Sequence, residues 1–142
     1  MSETIAEELT EDRLLQIVGG MDLEVLVGKD GMLGVHLGSH FFHLSSDETR
    51  PHVALCRLWR TFGIQHVNAI QDFIFSFNQR RYCPKLFTLT DDAGNIQVRA
   101  SHVFAWTNRA TDQQVRDELR TVFQSTIEAF AELNSAFPDQ WA

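Results

Sequence analysis

Cysteine is scarce in this 142-residue chain: there are two, Cys56 and Cys83, and no Cys-x-x-Cys pair. Two are too few for a disulfide framework, and without the pair the usual redox and zinc motifs are missing. No window approaches the ~18 consecutive apolar residues that a membrane span requires. Cations are also in deficit, 12 Lys and Arg against 19 Asp and Glu, for a net charge of −7. An acidic domain repels phosphate backbones unless a basic face is segregated, which disfavours nucleic acid as a partner. The opening MSETIAEELTEDR places five acids before its first cation, unlike a secretory signal or a transit peptide. The expected setting is the cytoplasm, with reduced thiols and no membrane. Nucleophile elbow, phosphate-binding glycine loop and dinucleotide fingerprint are all missing, so no catalytic residue or cofactor is expected.

What is present is apolar material for one packed core: 44% hydrophobic residues, eleven of them phenylalanine. No repeat, low-complexity tract or linker divides the chain. Residues 1–9 read as an acidic N-terminal arm and 10–138 as a single domain. Thr10 can cap a first helix whose stripe is Leu14, Leu15, Ile17, Val18 and Met21, ending at Gly19-Gly20. From Leu23 to Phe62 the period shortens to that of strands. Glu24–Val27, Leu33–Leu37, His40–Leu44 and Val53–Arg60 form a meander, with turns at Gly28-Lys29-Asp30-Gly31 and Gly38-Ser39 and a polar loop at Ser45–Pro51. Val67, Ile70, Phe73, Ile74 and Phe77 mark a second helix, which must end near Cys83 because Pro84 follows. Leu86–Thr90 and Ile96–Ser101 flank an Asp91-Asp92-Ala93-Gly94-Asn95 turn, and the second of these strands is allowed to run on to Trp106. Thr111 and Gln114 match a capping box for a long last helix, with Val115, Leu119, Val122, Phe123, Ile127 and Phe130 on one stripe, ended by Pro138. The order α-ββββ-α-ββ-α, with strands in blocks, predicts an α+β fold: an antiparallel sheet flanked by helices.

Candidate chemistry is thin. Cys83 has cations nearby in sequence, but it follows a helix C-terminus, whose dipole opposes a thiolate. A small residue filling a helix-to-strand corner is the favoured reading. His40 and His43 lie three apart on a strand and so on opposite faces, the wrong spacing for a metal pair. His36 and His40 straddle the Gly38-Ser39 turn, where Cys56 is an imaginable third ligand; surface histidines are the favoured reading. Asp91-Asp92 reads as turn geometry rather than an acid–base pair. A basic zone runs from Arg57 to Lys85, with Arg57, Arg60, Arg80, Arg81 and Lys85 against one acid, Asp72. It could receive an acidic protein segment, including the chain's own arm, or RNA; a solvated rim paired with scattered acids is the favoured reading.

The run Asn78-Gln79-Arg80-Arg81-Tyr82-Cys83-Pro84-Lys85, the Asp-Asp-Ala-Gly turn between strands, Thr111-Asp112-Gln113-Gln114-Val115 and the closing Ala136-Phe137-Pro138 resemble the bacterial YbjN-like family. The likeness spans roughly residues 10 to 138 and is best from Trp59 onward; Val115 stands where that family usually has leucine. The resemblance implies a fold like the type III secretion chaperones, a homodimer, and a role labelled sensory transduction regulator, with no catalytic residues to carry over. It also casts Asn78 and the arginines as groups that satisfy the last carbonyls of the second helix. The expected function is a non-enzymatic protein-interaction module, chaperone-like or regulatory, for an unknown protein partner. Its candidate interaction residues are Arg57, Trp59, Arg60, Phe75, Arg80 and Arg81. The alternatives are a metal- or thiol-dependent sensor or enzyme using Cys83 or the His36, His40, Cys56 group, and nucleic-acid binding through the Arg57–Lys85 zone.

Overall fold

The computed structural model describes residues 7–8, 10–28, 33–47, 50–104 and 109–138. The expected turn at Gly28–Gly31, most of the acidic arm and the tip of the Ser45–Pro51 loop fall wholly or partly outside those residues, while the strand that was allowed to run on to Trp106 ends at Val103. Within them the chain is α+β, with three α-helices and eight strands in two antiparallel sheets.

The order is β1 (Glu7–Glu8), α1 (Glu11–Gly19), β2 (Glu24–Val27), β3 (Leu33–Leu37), β4 (His40–Asp47), β5 (Arg50–Phe62), α2 (Val67–Arg80), β6 (Lys85–Thr90), β7 (Ile96–Val103), β8 (Arg109–Ala110) and α3 (Asp112–Ala136), with a single 3-10 turn over Ile64–His66 before α2. Six strands were expected and eight are found. The two extra strands, β1 and β8, pair with each other as a separate ribbon. Part of the acidic arm is therefore tied to the segment before α3, at Arg109 and Ala110.

The large sheet runs β2-β3-β4-β5-β7-β6. Its first four strands are a meander. The β3–β4 hairpin turns at Gly38, whose φ of +59° favours glycine. The expected polar loop after Leu44 is mostly strand, because β4 continues to Asp47 and β5 begins at Arg50, with a bulge between Ser45 and Asp47. The Asp91 carboxylate accepts from the backbone N–H of Ala93 and of Asn95, each at 2.9 Å, and so shapes the β6–β7 turn.

Alternation gives the sheet two unlike faces. Val35, Phe42, Leu44, Ala54, Cys56, Leu86, Val98 and Ala100 point inward and are buried. They meet the apolar stripes of the helices: Leu14, Ile17 and Val18 of α1, Ile70, Ile74 and Phe77 of α2, and Val115, Leu119, Val122, Phe123, Phe130 and Leu133 of α3. Phe42 packs on Phe123 at 4.6 Å between ring centres, and Phe137, just past α3, meets both Phe62 and Phe73. All three described helices thus share one side of the sheet. Both predicted caps form: Thr10 accepts from the Arg13 N–H, and Thr111 and Gln114 make a reciprocal capping box. Arg13 ties the starts of α1 and α3 together through Asp112 at 2.8 Å, a pair only 13% and 16% exposed.

Candidate protein-interaction surfaces

The corner between α2 and β6 is built by one amide. Asn78 Nδ2 donates to the Leu86 carbonyl at 3.0 Å, and the Leu86 N–H donates to Asn78 Oδ1 at 2.9 Å. The side chain thus imitates a short piece of neighbouring strand on the outer edge of β6. This corrects the expectation that Asn78 satisfies the last carbonyls of α2. The arginines beside it do not serve those carbonyls either. Arg80 pairs with Glu132 at 2.8 Å and Arg81 with the same carboxylate at 3.6 Å, and both guanidinium groups lie over the Phe77 ring. Arg60 donates to Asn134 Oδ1 at 3.3 Å and lies 4.5 Å over the Phe62 ring. Three of the candidate interaction residues, Arg60, Arg80 and Arg81, therefore gather along the C-terminal half of α3, where Glu132 offsets much of their charge. Phe75 stands apart on the solvent side of α2, 66% exposed. The side chains of Arg57 and Trp59 lie outside the described residues, although the backbone of both belongs to β5.

The histidines and cysteines do not converge. His36 is on the uncovered side of the sheet, edge-on to the Phe41 ring, and His43 meets that ring on its other flank. His40 is on the helix side, stacked on Phe130. The imagined His36, His40 and Cys56 group is thus split across the two faces of the sheet. Burial pushes the Cys56 thiol up to about 12, with a hydrogen bond to the Phe41 backbone as a smaller opposing effect. A thiol so placed stays protonated and is a core residue. Cys83 is buried at a cis peptide bond with Pro84. Among the described residues no group of three His, Cys, Asp or Glu could hold a metal ion.

One part-buried polar link escaped the sequence reading. His102 on the helix side of β7 lies 3.1 Å from Glu118 of α3, edge-on to the rings of Tyr82 and Phe104. Alternation along β7 gives the inward direction of His102, but nothing local in the sequence names Glu118 as its partner. A cleft between α1 and the start of α3 is lined by Arg13, Gln16, Ile17, Gly20, Asp112 and Arg116. Its floor is the Arg13–Asp112 pair already described.

One surface that sequence reasoning did not isolate is the face of the six-stranded sheet that no described helix covers, the uncovered face. Register places its rows directly. Leu26, Gly34, His43, Leu55, Ser101 and Lys85 form one, and Arg57, Arg99 and Phe87 another. Leu26 is 51% exposed, Val103 57% and Leu89 43%, with the Phe41 and Phe87 rings half-buried beside them. Gly34 belongs here for a steric reason, since a Cβ at that position would overlap the Phe41 ring. The ring lies over the glycine and fills the gap left by its missing side chain. Among the described residues no helix is long and apolar enough to cross a membrane. No known protein family, curated protein or solved structure matches the chain.

Proposed function

We propose that this protein is a non-enzymatic interaction module, chaperone-like or regulatory, that docks a protein partner on the uncovered face of its sheet. One observation carries the reading: three helices cover one face of the sheet, and the other presents exposed Leu26, Leu89 and Val103 around half-buried aromatic rings. Exposed apolar side chains mixed with aromatic rings are a composition nearer to that of interfaces than of plain surface. The resemblance to the YbjN-like family points the same way and adds two elements to the proposal, a fold akin to the type III secretion chaperones and a homodimer. For the homodimer the apolar spot on α2, Phe75, is the contact we assign. Against a nucleic-acid role stand the net charge of −7 and the Glu132 carboxylate between Arg80 and Arg81.

Two measurements test this. Light scattering on the purified protein is expected to give the mass of a dimer, and Phe75→Glu that of a monomer. Cross-linking in the cytoplasm of the host, followed by mapping of the linked residues, is expected to place a second protein on β6 and β7. A strictly monomeric protein that cross-links to no partner would refute the proposal.

A further inference from the structure

Four cations among the described residues sit beside carboxylates. Arg13 pairs with Asp112, Arg80 and Arg81 with Glu132, and Arg120 reaches Asp117 at 3.9 Å. The uncovered sheet face departs from this pattern. Arg99 on β7 donates from Nη2 to Gln97 Oε1 at 3.1 Å, a neutral amide on its own strand. Its Nε is buried and has no acceptor among the described residues. A desolvated guanidinium N–H without an acceptor is a costly arrangement, normally relieved by an anion or water. Lys85 on β6 is exposed and has no carboxylate partner among the described residues. Register sets Arg57 opposite Arg99 on one side and Phe87 opposite it on the other, with Lys85 one diagonal step away from Arg99. Arg99 and Lys85 thus stand as neighbouring cations on adjacent strands, with Arg57 at the register position across from Arg99. Like charges close together on one face weaken a sheet, and an anion laid between Arg99 and Lys85 removes that penalty.

We infer that this row is a docking site for an acidic segment of a partner protein, one whose carboxylates alternate with apolar side chains. The inference rests on the function proposed above and names its partner chemistry. Charge selects the occupant. The row is positive in a protein of net charge −7, so a short acidic segment finds a local attraction. A nucleic acid draws its affinity from the number of phosphates neutralised. So small a group of cations neutralises few. Flanking the row, Leu89, Val103 and Phe87 offer apolar contacts to residues between the carboxylates. The Phe87 ring, opposite Arg99, also limits water access to the ion pair, which strengthens it.

Fluorescence anisotropy on the full chain tests the inference with labelled peptides of about ten residues, long enough to cross the sheet. One alternates Glu with Val, one Gln with Val and one Lys with Val, and a labelled single-stranded RNA is the fourth probe. The Glu peptide is expected to bind, to weaken as salt is raised, and to lose about tenfold in affinity with Arg99→Gln or Lys85→Gln, the effect of one charge-assisted hydrogen bond. Lys85 is exposed at the sheet edge, so Lys85→Gln provides a folded variant even if Arg99→Gln does not. Four results would overturn the inference: equal binding of the Gln peptide, binding indifferent to both substitutions, binding of RNA in place of the Glu peptide, or binding of no probe. Equal binding of the Glu and Gln peptides, weakened by Val103→Thr, would leave the docking face standing and remove only its acidic preference.

Discussion

The two faces of the large sheet are built from the same strands and differ in nearly every physical respect. On the helix side, Val35, Phe42, Leu44, Ala54, Cys56, Val98 and Ala100 are all at 3% exposure or below. On the other side the same strands carry His36, Phe41, His43, Phe87, Arg99, Ser101 and Val103, none of them buried. A sheet needs only one covered face to be stable. The second face is therefore under no packing demand, and its content is informative. A face kept only for solubility reads as alternating polar residues. This one mixes aromatic rings, aliphatic side chains and cations, a composition nearer to that of interfaces than of plain surface.

The contrast is broken most directly by truncating one phenylalanine on each side. Phe42→Ala removes a ring that is 1% exposed and packed on Phe123, and is expected to cost about 3–5 kcal/mol by urea unfolding. Phe87→Ala, on the half-exposed side, is expected to cost about 1–2 kcal/mol. Equal losses would mean that both faces are core. Gly34→Ala is the next largest test. The added methyl meets the Phe41 ring, which must swing away from its seat between His36 and His43, at an expected cost of about 1–3 kcal/mol. The double variant Gly34→Ala with Phe41→Ala is expected to lose less than the two single changes added together, because the clash has gone.

Much of this arrangement is legible from residue order. Period-two alternation in Leu33–Leu37, His40–Leu44 and Ile96–Ser101, the turn residues between them and the Thr111–Gln114 capping box all act locally, so the α+β class follows from the sequence. Three features do not follow. The pairing of Glu7-Glu8 with Arg109-Ala110 joins two-residue strands about a hundred positions apart, too short to show any period. Asn78 sits where a helix end makes carbonyls the obvious target, and only the return of β6 beside it shows that Leu86 takes its hydrogen bonds. The basic zone looked continuous in sequence, yet folding divides it. Arg60, Arg80 and Arg81 go to the α3 rim with Glu132 and Asn134, while Lys85 goes to the free face beside Arg99. Arg99 lies outside that zone, and its place beside Lys85 arises from register and not from spacing.

Histidines sharpen the comparison with a smaller effect. His40 and His43 are three residues apart on β4, yet only His40 faces the helices. Burial against Phe130 holds the His40 imidazole below its ordinary value of 6.5, with a hydrogen bond to the Leu37 backbone opposing. The unfolded chain takes up a proton near 6.5 while the folded chain resists it until lower pH. The contribution of neutral His40 is therefore complete above pH 6.5, declines as the pH falls below that value, and is lost once the folded-state value is passed. His40→Gln is expected to flatten this part of the stability–pH profile, measured by denaturant unfolding at successive pH values. An unchanged slope would mean that His40 is solvated like a surface residue.

The smallest expected effect on stability belongs to Val103→Thr on the free face. Both side chains are β-branched and nearly equal in shape, so strand geometry is kept and only apolar character is lost. With Val103 at 57% exposure, the melting free energy is expected to change by no more than about 0.5 kcal/mol. The same hydroxyl at an inward position such as Val98, which is fully buried, has no solvent to bond and is expected to cost about 1–3 kcal/mol. The pair therefore reads the faces independently of ring size. If Val103→Thr destabilised the protein as much as Val98→Thr, the face would be covered in solution by another copy of the chain. If it leaves stability intact and weakens partner binding, the free face is kept apolar for recognition and not for folding.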